Sequence, residues 1–266
     1  MSTDQSQSLL KHVVLVTGGG SGIGLAIAES FLKLGASVHI CDVSQQMLDQ
    51  CQKSNPDMST SLCDVSDPSQ VDALMDTIES DYGRLDILIN NAGIAGPAAA
   101  VEDIEIADWQ KTLDIDISGA FYVTRRAVPL LKRAGKGSIV NMSSSAGILG
   151  CPLRSPYVAS KWAMVGLSKT WAMELGPFNI RVNAICPGSV EGPRIEGVIE
   201  RDAAERGLEA EEIRQLYQQQ SSLRKFISAE DVANMATFLC SDAGASISGQ
   251  ALSVDGHTET LSIQID

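Results

Sequence analysis

Strand-sized apolar runs alternate with segments of helical period along most of the chain. Residues 12–17 form a β-branched run. After a glycine cluster, Ile23, Ile27, Ala28, Phe31 and Leu34 recur at helical spacing up to the helix-stopping Gly35. The same alternation predicts further strands over 37–41, 59–63, 86–89, 138–142, 180–185 and 251–254. Helices are expected over 44–51, 68–82 with Asp67 as N-cap, about 106–133, 156–175 and 229–240. Gly119 and Pro129 predict a break or kink within the segment 106–133. Repeated strand–helix units of this kind imply an α/β fold: one doubly wound parallel sheet of about seven strands with helices on both faces, in a single domain over 1–266.

One stretch breaks the rhythm. The insert at about 189–228 is rich in Glu, Arg and Gln and has no strand pattern, but Ile213, Leu216 and Tyr217 stand at i, i+3 and i+4. A helix with one apolar stripe is expected there, lying as a substrate lid over the site; the plainer alternative is a solvated surface excursion.

Composition narrows the classes of function. At 266 residues, 44% hydrophobic and 20% charged, the chain can bury a sizeable core, which excludes disorder as its main state. Lys plus Arg is 20 against 33 for Asp plus Glu, a net charge of −13 that repels phosphate backbones and anionic lipid. Neither nucleic acid nor a membrane is an expected partner, and no apolar run approaches the roughly 20 residues of a membrane span. The start, 1–10, is polar with Asp4 and lacks the pattern of a secretory signal, so a cytoplasmic location is expected. Six cysteines without a C-x-x-C pair read as buried reduced thiols. The three histidines make neither a Ser–His nor a metal-ligand arrangement, so no metal site is expected.

The glycine cluster carries the first chemistry. Gly18-Gly19-Gly20-Ser21-Gly22-Ile23-Gly24 leaves the first strand and opens the first helix, where glycines let backbone approach a pyrophosphate at a helix N-terminus; a purely structural tight turn is the alternative. No Gly-Lys-Ser/Thr follows, so a nucleoside-triphosphate P-loop is not supported. Asp42 ends the second predicted strand, 18 residues after Gly24, where a carboxylate accepts from a ribose 2′-hydroxyl and repels a 2′-phosphate. With no Lys or Arg in 18–24, NAD is favoured over NADP; Asp42 could also cap the next helix.

Thr17 to Gly24, Asn90-Asn91-Ala92-Gly93, Tyr157-Val-Ala-Ser-Lys161 and Pro187-Gly188, in that order, resemble the short-chain dehydrogenase/reductase family over about 13–256. The resemblance implies a Rossmann-type domain with strand order 3-2-1-4-5-6-7, a homotetramer, and an NAD-dependent oxidoreductase interconverting a secondary alcohol and a ketone. It implies Tyr157 as acid/base, Lys161 as its electrostatic partner and ribose ligand, and Ser144 as donor to the substrate oxygen. Ser143 and Ser145 also qualify by residue type, but the family spacing of thirteen residues before the tyrosine selects Ser144. Tyr157 and Lys161, at i and i+4, share a helix face, and a cation beside a phenol favours its anion. Asn91, Ala92 and Gly93 resemble the segment shaping the adenine pocket and Asp64-Val65 the one beside the adenine. Pro187, Gly188 and Val190 resemble the backbone against the nicotinamide carboxamide.

Two positions depart from the family pattern. Asp116 stands where a catalytic Asn is usual; it is expected to hold the relay water and support a charged Lys161. Gly192 stands where many members carry Thr. Arg154, three residues before Tyr157, and Arg194, at the start of the insert, point to an anionic substrate such as a hydroxy acid or sugar acid. The alternative for the arginines is pairing with Glu191 or Glu196. Three other readings stand beside the acid dehydrogenase: a 3-oxoacyl-carrier-protein reductase, a sugar or polyol dehydrogenase, and a non-catalytic NAD-binding regulatory protein on the same scaffold.

Overall fold

Seven parallel strands, β1 (Val13–Thr17), β2 (Ser37–Asp42), β3 (Ser59–Leu62), β4 (Ile87–Asn90), β5 (Gly137–Met142), β6 (Ile180–Pro187) and β7 (Ala251–Val254), pair in the order β3-β2-β1-β4-β5-β6-β7 in the computed structural model. The structure describes residues 9–261; most of the N-terminal stretch read above for a secretory signal lies outside them. The helices are α1 (Gly22–Lys33), α2 (Gln45–Ser54), α3 (Pro68–Tyr82), α4 (Ile106–Leu113), α5 (Gly119–Ala134), α6 (Ser155–Leu175), α7 (Pro193–Arg206), α8 (Ala210–Gln219) and α9 (Ala229–Cys240).

Alternation along β1 explains the two layers. Val14 and Val16 face one side of the sheet with Ile40, Ile89 and Val140, against Ile27 and Phe31 of α1 and Val232 and Ala236 of α9. Val13 and Leu15 face the other side, against Val71 and Ile78 of α3, Val123 and Leu130 of α5 and Trp171 of α6. Both faces are thus buried, as a parallel sheet requires. Side chains also join the central strands: Asn90 Nδ2 donates to Asn141 Oδ1 (2.8 Å) and Thr124 Oγ1 (2.9 Å), and Asn141 Nδ2 donates to Ser168 Oγ (2.8 Å). The six cysteines are free thiols, with Cys41, Cys51, Cys63 and Cys186 buried and Cys151 and Cys240 partly so.

The break expected in 106–133 falls at a π-helical turn, Asp114–Ser118, between α4 and α5. Pro129 is accommodated inside α5 instead. Gly119, at the start of α5, lies so near Val65 that a Cβ would come within 2.7 Å of its side chain, so the turn is set by packing against the loop after β3. The insert contains the expected helix, α8, and a second one that its polar composition concealed, α7. Ile195, Ile199 and Ala203 of α7 pack with Ile213 of α8 and with Phe226 into a small apolar cluster of their own.

His39 of β2 is buried, with Nε2 2.8 Å from Ser61 Oγ. Burial pulls its imidazole from 6.5 down to about 4, against a smaller opposing pull from Asp81. An unfolded chain therefore takes up this proton first as pH falls, and stability is lost between pH 6.5 and about 4. The loss expected from this one group is ~3 kcal/mol. Urea unfolding of wild type and His39→Val across that window should show the variant's stability falling less steeply; parallel slopes would contradict the assignment.

Candidate active site

The glycine loop forms a cradle that side chains would fill. Gly18 has φ +59°, and a Cβ there would meet Ala92 Cα at 2.9 Å; a Cβ on Gly24 would meet the Gly18 carbonyl oxygen at 2.2 Å. Asn91 holds this loop, its Nδ2 donating to the carbonyls of Thr17 (3.0 Å) and Gly18 (2.9 Å). Thr17 Oγ1 accepts from the N–H groups of Asn91 (3.0 Å) and Ala92 (3.1 Å). Ser21 is the N-cap of α1 but its side chain makes no capping bond, so the first turn, with Gly22, Ile23 and Gly24, keeps its N–H donors directed outward. Asp42 borders the loop: Oδ2 accepts from Gly20 N–H (3.0 Å) and Oδ1 from Ser44 N–H (3.1 Å). Ser44, not Asp42, is the N-cap of α2. A carboxylate carries more acceptor positions than these two bonds use, so Asp42 can still receive hydroxyls.

Asp64 and Val65 lie on the neighbouring loop after β3. Asp64 Oδ1 accepts from Ser66 N–H (2.9 Å) and Oγ–H (2.7 Å), while Val65 is buried against Gly119. The close-packed backbone, the uncapped helix start and the carboxylate beside them suit a dinucleotide diphosphate and its adenosine ribose.

The second cluster lies at the C-terminal ends of β5 and β6. Tyr157 and Lys161 stand one turn apart on α6, with Lys161 Nζ 5.5 Å from the Tyr157 ring centroid. Lys161 is buried, donates to the Met142 carbonyl (3.2 Å) and lies 3.6 Å from Asp116 Oδ2. Asp116 is buried on the π-helical turn; its Oδ1 accepts from Ile94 N–H (2.8 Å) and its Oδ2 from Ser160 Oγ–H (2.9 Å). Gly93 fits between them, since a Cβ would stand 3.1 Å from Asp116 Oδ1 and 3.2 Å from Lys161 Nζ.

The three adjacent serines divide by environment. Ser143 Oγ is buried and donates to the Lys161 carbonyl (2.8 Å), and Ser145 Oγ is buried within reach of the Pro187 carbonyl (3.2 Å) and Asp255 Oδ2 (3.3 Å). Ser144 stays partly accessible, its Oγ accepting from Ala146 N–H (3.1 Å). Its own hydroxyl hydrogen remains available to a substrate oxygen. The Ser145–Asp255 contact, absent from the sequence reading, links the serine loop to the end of β7 and carries no local signal, since its partners are 110 residues apart.

Gly188 packs against Asp255, where a Cβ would come within 2.9 Å of the Asp255 Cα. Val190 bridges to Ile227 in parallel, so the two ends of the insert are tied together beside β6. Gly192 caps α7 at φ +139°, a backbone conformation that threonine would adopt only under strain. Arg154 and Arg194 both reach Tyr157 of α6, with guanidinium carbons 5.5 and 5.7 Å from its ring centroid. Glu196 pairs with Arg214 rather than with Arg194.

A family model described as enoyl-(acyl carrier protein) reductase matches residues 18–257. A 3-oxoacyl-(acyl-carrier-protein) reductase of Thermotoga maritima is 37% identical over 248 residues, covering 92% of this chain and 96% of its own. The chain belongs to the short-chain dehydrogenase/reductase family. A D-β-hydroxybutyrate dehydrogenase of Rhizobium meliloti is 34% identical, with 93% of this chain and 98% of its own covered. An NAD⁺-bound xylitol dehydrogenase superposes with a TM-score of 0.88 at 30% identity, covering 92% of this chain and 98% of its own. The relatives are named as dehydrogenases and reductases, which makes this chain an oxidoreductase of CH–OH groups; the family uses a nicotinamide dinucleotide, and the seven-stranded order found here is that of its Rossmann-type fold. Among the described residues no helix is long and apolar enough to cross a membrane.

Proposed function

We propose that this enzyme is an NAD-dependent dehydrogenase of a secondary alcohol, in the class of hydroxy acids, with Ser144, Tyr157 and Lys161 at the reacting centre. The observation that carries the reading is the buried Lys161 ammonium 5.5 Å from the Tyr157 ring centroid, with the accessible Ser144 next in the chain to Ser143, which bonds the Lys161 carbonyl, and with Gly93 joining Lys161 to a loop shaped for a dinucleotide diphosphate. The D-β-hydroxybutyrate dehydrogenase relative supports a hydroxy acid.

The residues divide the chemistry between them. Gly18 to Gly24 and the first turn of α1 would hold the diphosphate, and Asp42 would accept the adenosine ribose hydroxyls. Asn91, Ala92 and Gly93, with Asp64 and Val65, would wall the adenine side, Lys161 would hold the nicotinamide ribose, and the backbone of Pro187, Gly188 and Val190 would hold the carboxamide. When bound, the nicotinamide ring supplies the hydride acceptor or donor. Ser144 donates a hydrogen bond to the substrate oxygen. Tyr157 Oη, as phenolate, takes the hydroxyl proton, and the Lys161 ammonium stabilises that anion. Asp116 acts on Lys161, balancing its charge and fixing its position through the Ile94 and Ser160 contacts. The glutamate-rich insert, α7 and α8, covers the substrate. Apolar side chains left exposed on α5 and α6, Phe121, Trp162 and Met173, support self-association, for which the family resemblance implies a homotetramer; a cytoplasmic location completes the reading.

The choice of NAD rests on Asp42, whose negative charge beside Gly20 disfavours a 2′-phosphate. Initial rates of the purified protein should favour NAD⁺ over NADP⁺ on one substrate. Asp42→Ala should lower that preference by ~10–100-fold, the effect of charge-assisted hydrogen bonds of this kind. Wild-type kcat/KM values that favour NADP⁺ would overturn the assignment.

A further inference from the structure

Resting on the dehydrogenase reading, we propose that Arg154 and Arg194 form a clasp for the substrate carboxylate, one jaw fixed to the core and the other carried by the insert. Three cations converge on the Tyr157 ring: Lys161 Nζ at 5.5 Å and the guanidinium carbons of Arg154 at 5.5 Å and Arg194 at 5.7 Å. Among the described residues, Lys161 alone of the three has a carboxylate beside it, Asp116. Among the described residues neither arginine has an acidic group within 4.0 Å, although the chain carries a net charge of −13. Like charges gathered at a phenol repel one another, and an anionic substrate relieves that repulsion.

Arg154 is aimed by its surroundings. Leu153, at φ +62°, turns the chain just before α6, and the Leu153 carbonyl accepts from Ala99 N–H (2.9 Å). Arg154 Nη2 donates to the Ala95 carbonyl (2.8 Å), which anchors one edge of the guanidinium, while its Nε is buried with no acceptor among the described residues. Arg194 is exposed in the first turn of α7, directed by the Gly192–Pro193 start of that helix. Planar forked donors suit the two oxygens of a carboxylate better than a lysine ammonium does. The carboxylate would therefore bind core and insert together, presenting the hydroxyl-bearing carbon to Ser144 and Tyr157 and holding the insert closed. Acids are selected over neutral alcohols at this point of contact, since the net charge of the chain gives an anion no long-range attraction.

The test compares matched pairs with NAD⁺ and NADP⁺: 3-hydroxybutyrate against its methyl ester and its N-acetylcysteamine thioester, and gluconate against glucitol. Wild type should prefer the acid of a pair by ~100-fold in kcat/KM, the scale of a desolvated charge-assisted contact. Arg154→Met and Arg194→Met should each reduce the acid-to-neutral ratio by at least ~10-fold, chiefly through KM for the acid, with Arg194→Lys restoring only part of it. Faster turnover of the ester, thioester or glucitol, or an unchanged ratio in both variants, would overturn the clasp and leave the dehydrogenase standing. If no member is turned over with either cofactor, the dehydrogenase reading fails, and calorimetric titration with the same two acids decides the clasp separately. Binding by wild type that both methionine variants lose supports it, and no binding, or equal binding by the variants, overturns it.

Discussion

Replacing Tyr157 by Phe should reduce kcat by ~10³-fold, within the range that positioned proton transfer contributes. The change removes one oxygen from the ring around which Lys161 and the two arginines gather. It leaves the ring for the cationic contacts and the whole glycine loop for the dinucleotide. The expected signature is a folded protein that still binds dinucleotide but shows almost no turnover, in single-turnover as well as steady-state measurements. A loss of less than tenfold would mean that another group carries the proton. Thermal melting of the variant separates this result from misfolding.

The next largest effect is on stability, at Asp116. Its side chain is 0% exposed and that of Lys161 7%. Removing one partner of a buried pair strands the other charge, at a cost of ~3–5 kcal/mol. Asp116→Leu should lower the unfolding free energy by that amount, because it also deprives the Ile94 N–H of its acceptor, while the Ser160 hydroxyl keeps the Tyr157 carbonyl at 2.8 Å. Asp116→Asn keeps an oxygen for the Ile94 N–H and restores the residue usual in the family, so its loss should be smaller, ~1–2 kcal/mol. Urea unfolding of the three proteins measures both values. Equal stability of Asp116→Leu and wild type would show that the pair contributes nothing net.

The parallel sheet was legible because β-branched runs and helical periods alternate. Strand β7 and helices α3 and α9 have the boundaries expected from the sequence, and the Asp67 cap is present with Oδ1 accepting from Ser69 N–H (2.8 Å). The glycine loop and Asp42 were legible for a related reason, since short-range order along the chain places a strand, a loop and a helix start in one predictable arrangement. The break before α5 was legible only as a break. Proline and glycine were the visible signals, whereas the π-helical turn follows from contacts with Val65 and with Ile94, which are distant in the chain. Helix α7 was hidden by its charged surface, although Ile195, Ile199 and Ala203 stand at i, i+4 and i+8 on one face. The Ser145–Asp255 link and the approach of Arg194 to Tyr157 are products of tertiary packing, and no local pattern announces them.

The most direct test of the central claim follows the hydrogen itself. The acid from the matched panel with the highest kcat/KM is prepared with deuterium on its carbinol carbon and oxidised by wild type with NAD⁺. The account predicts that deuterium appears in the reduced dinucleotide, on one face of the ring, with a slowed single-turnover rate, and that Tyr157→Phe nearly abolishes this transfer. Reduced dinucleotide that contains no deuterium, or undiminished transfer by Tyr157→Phe, would contradict it.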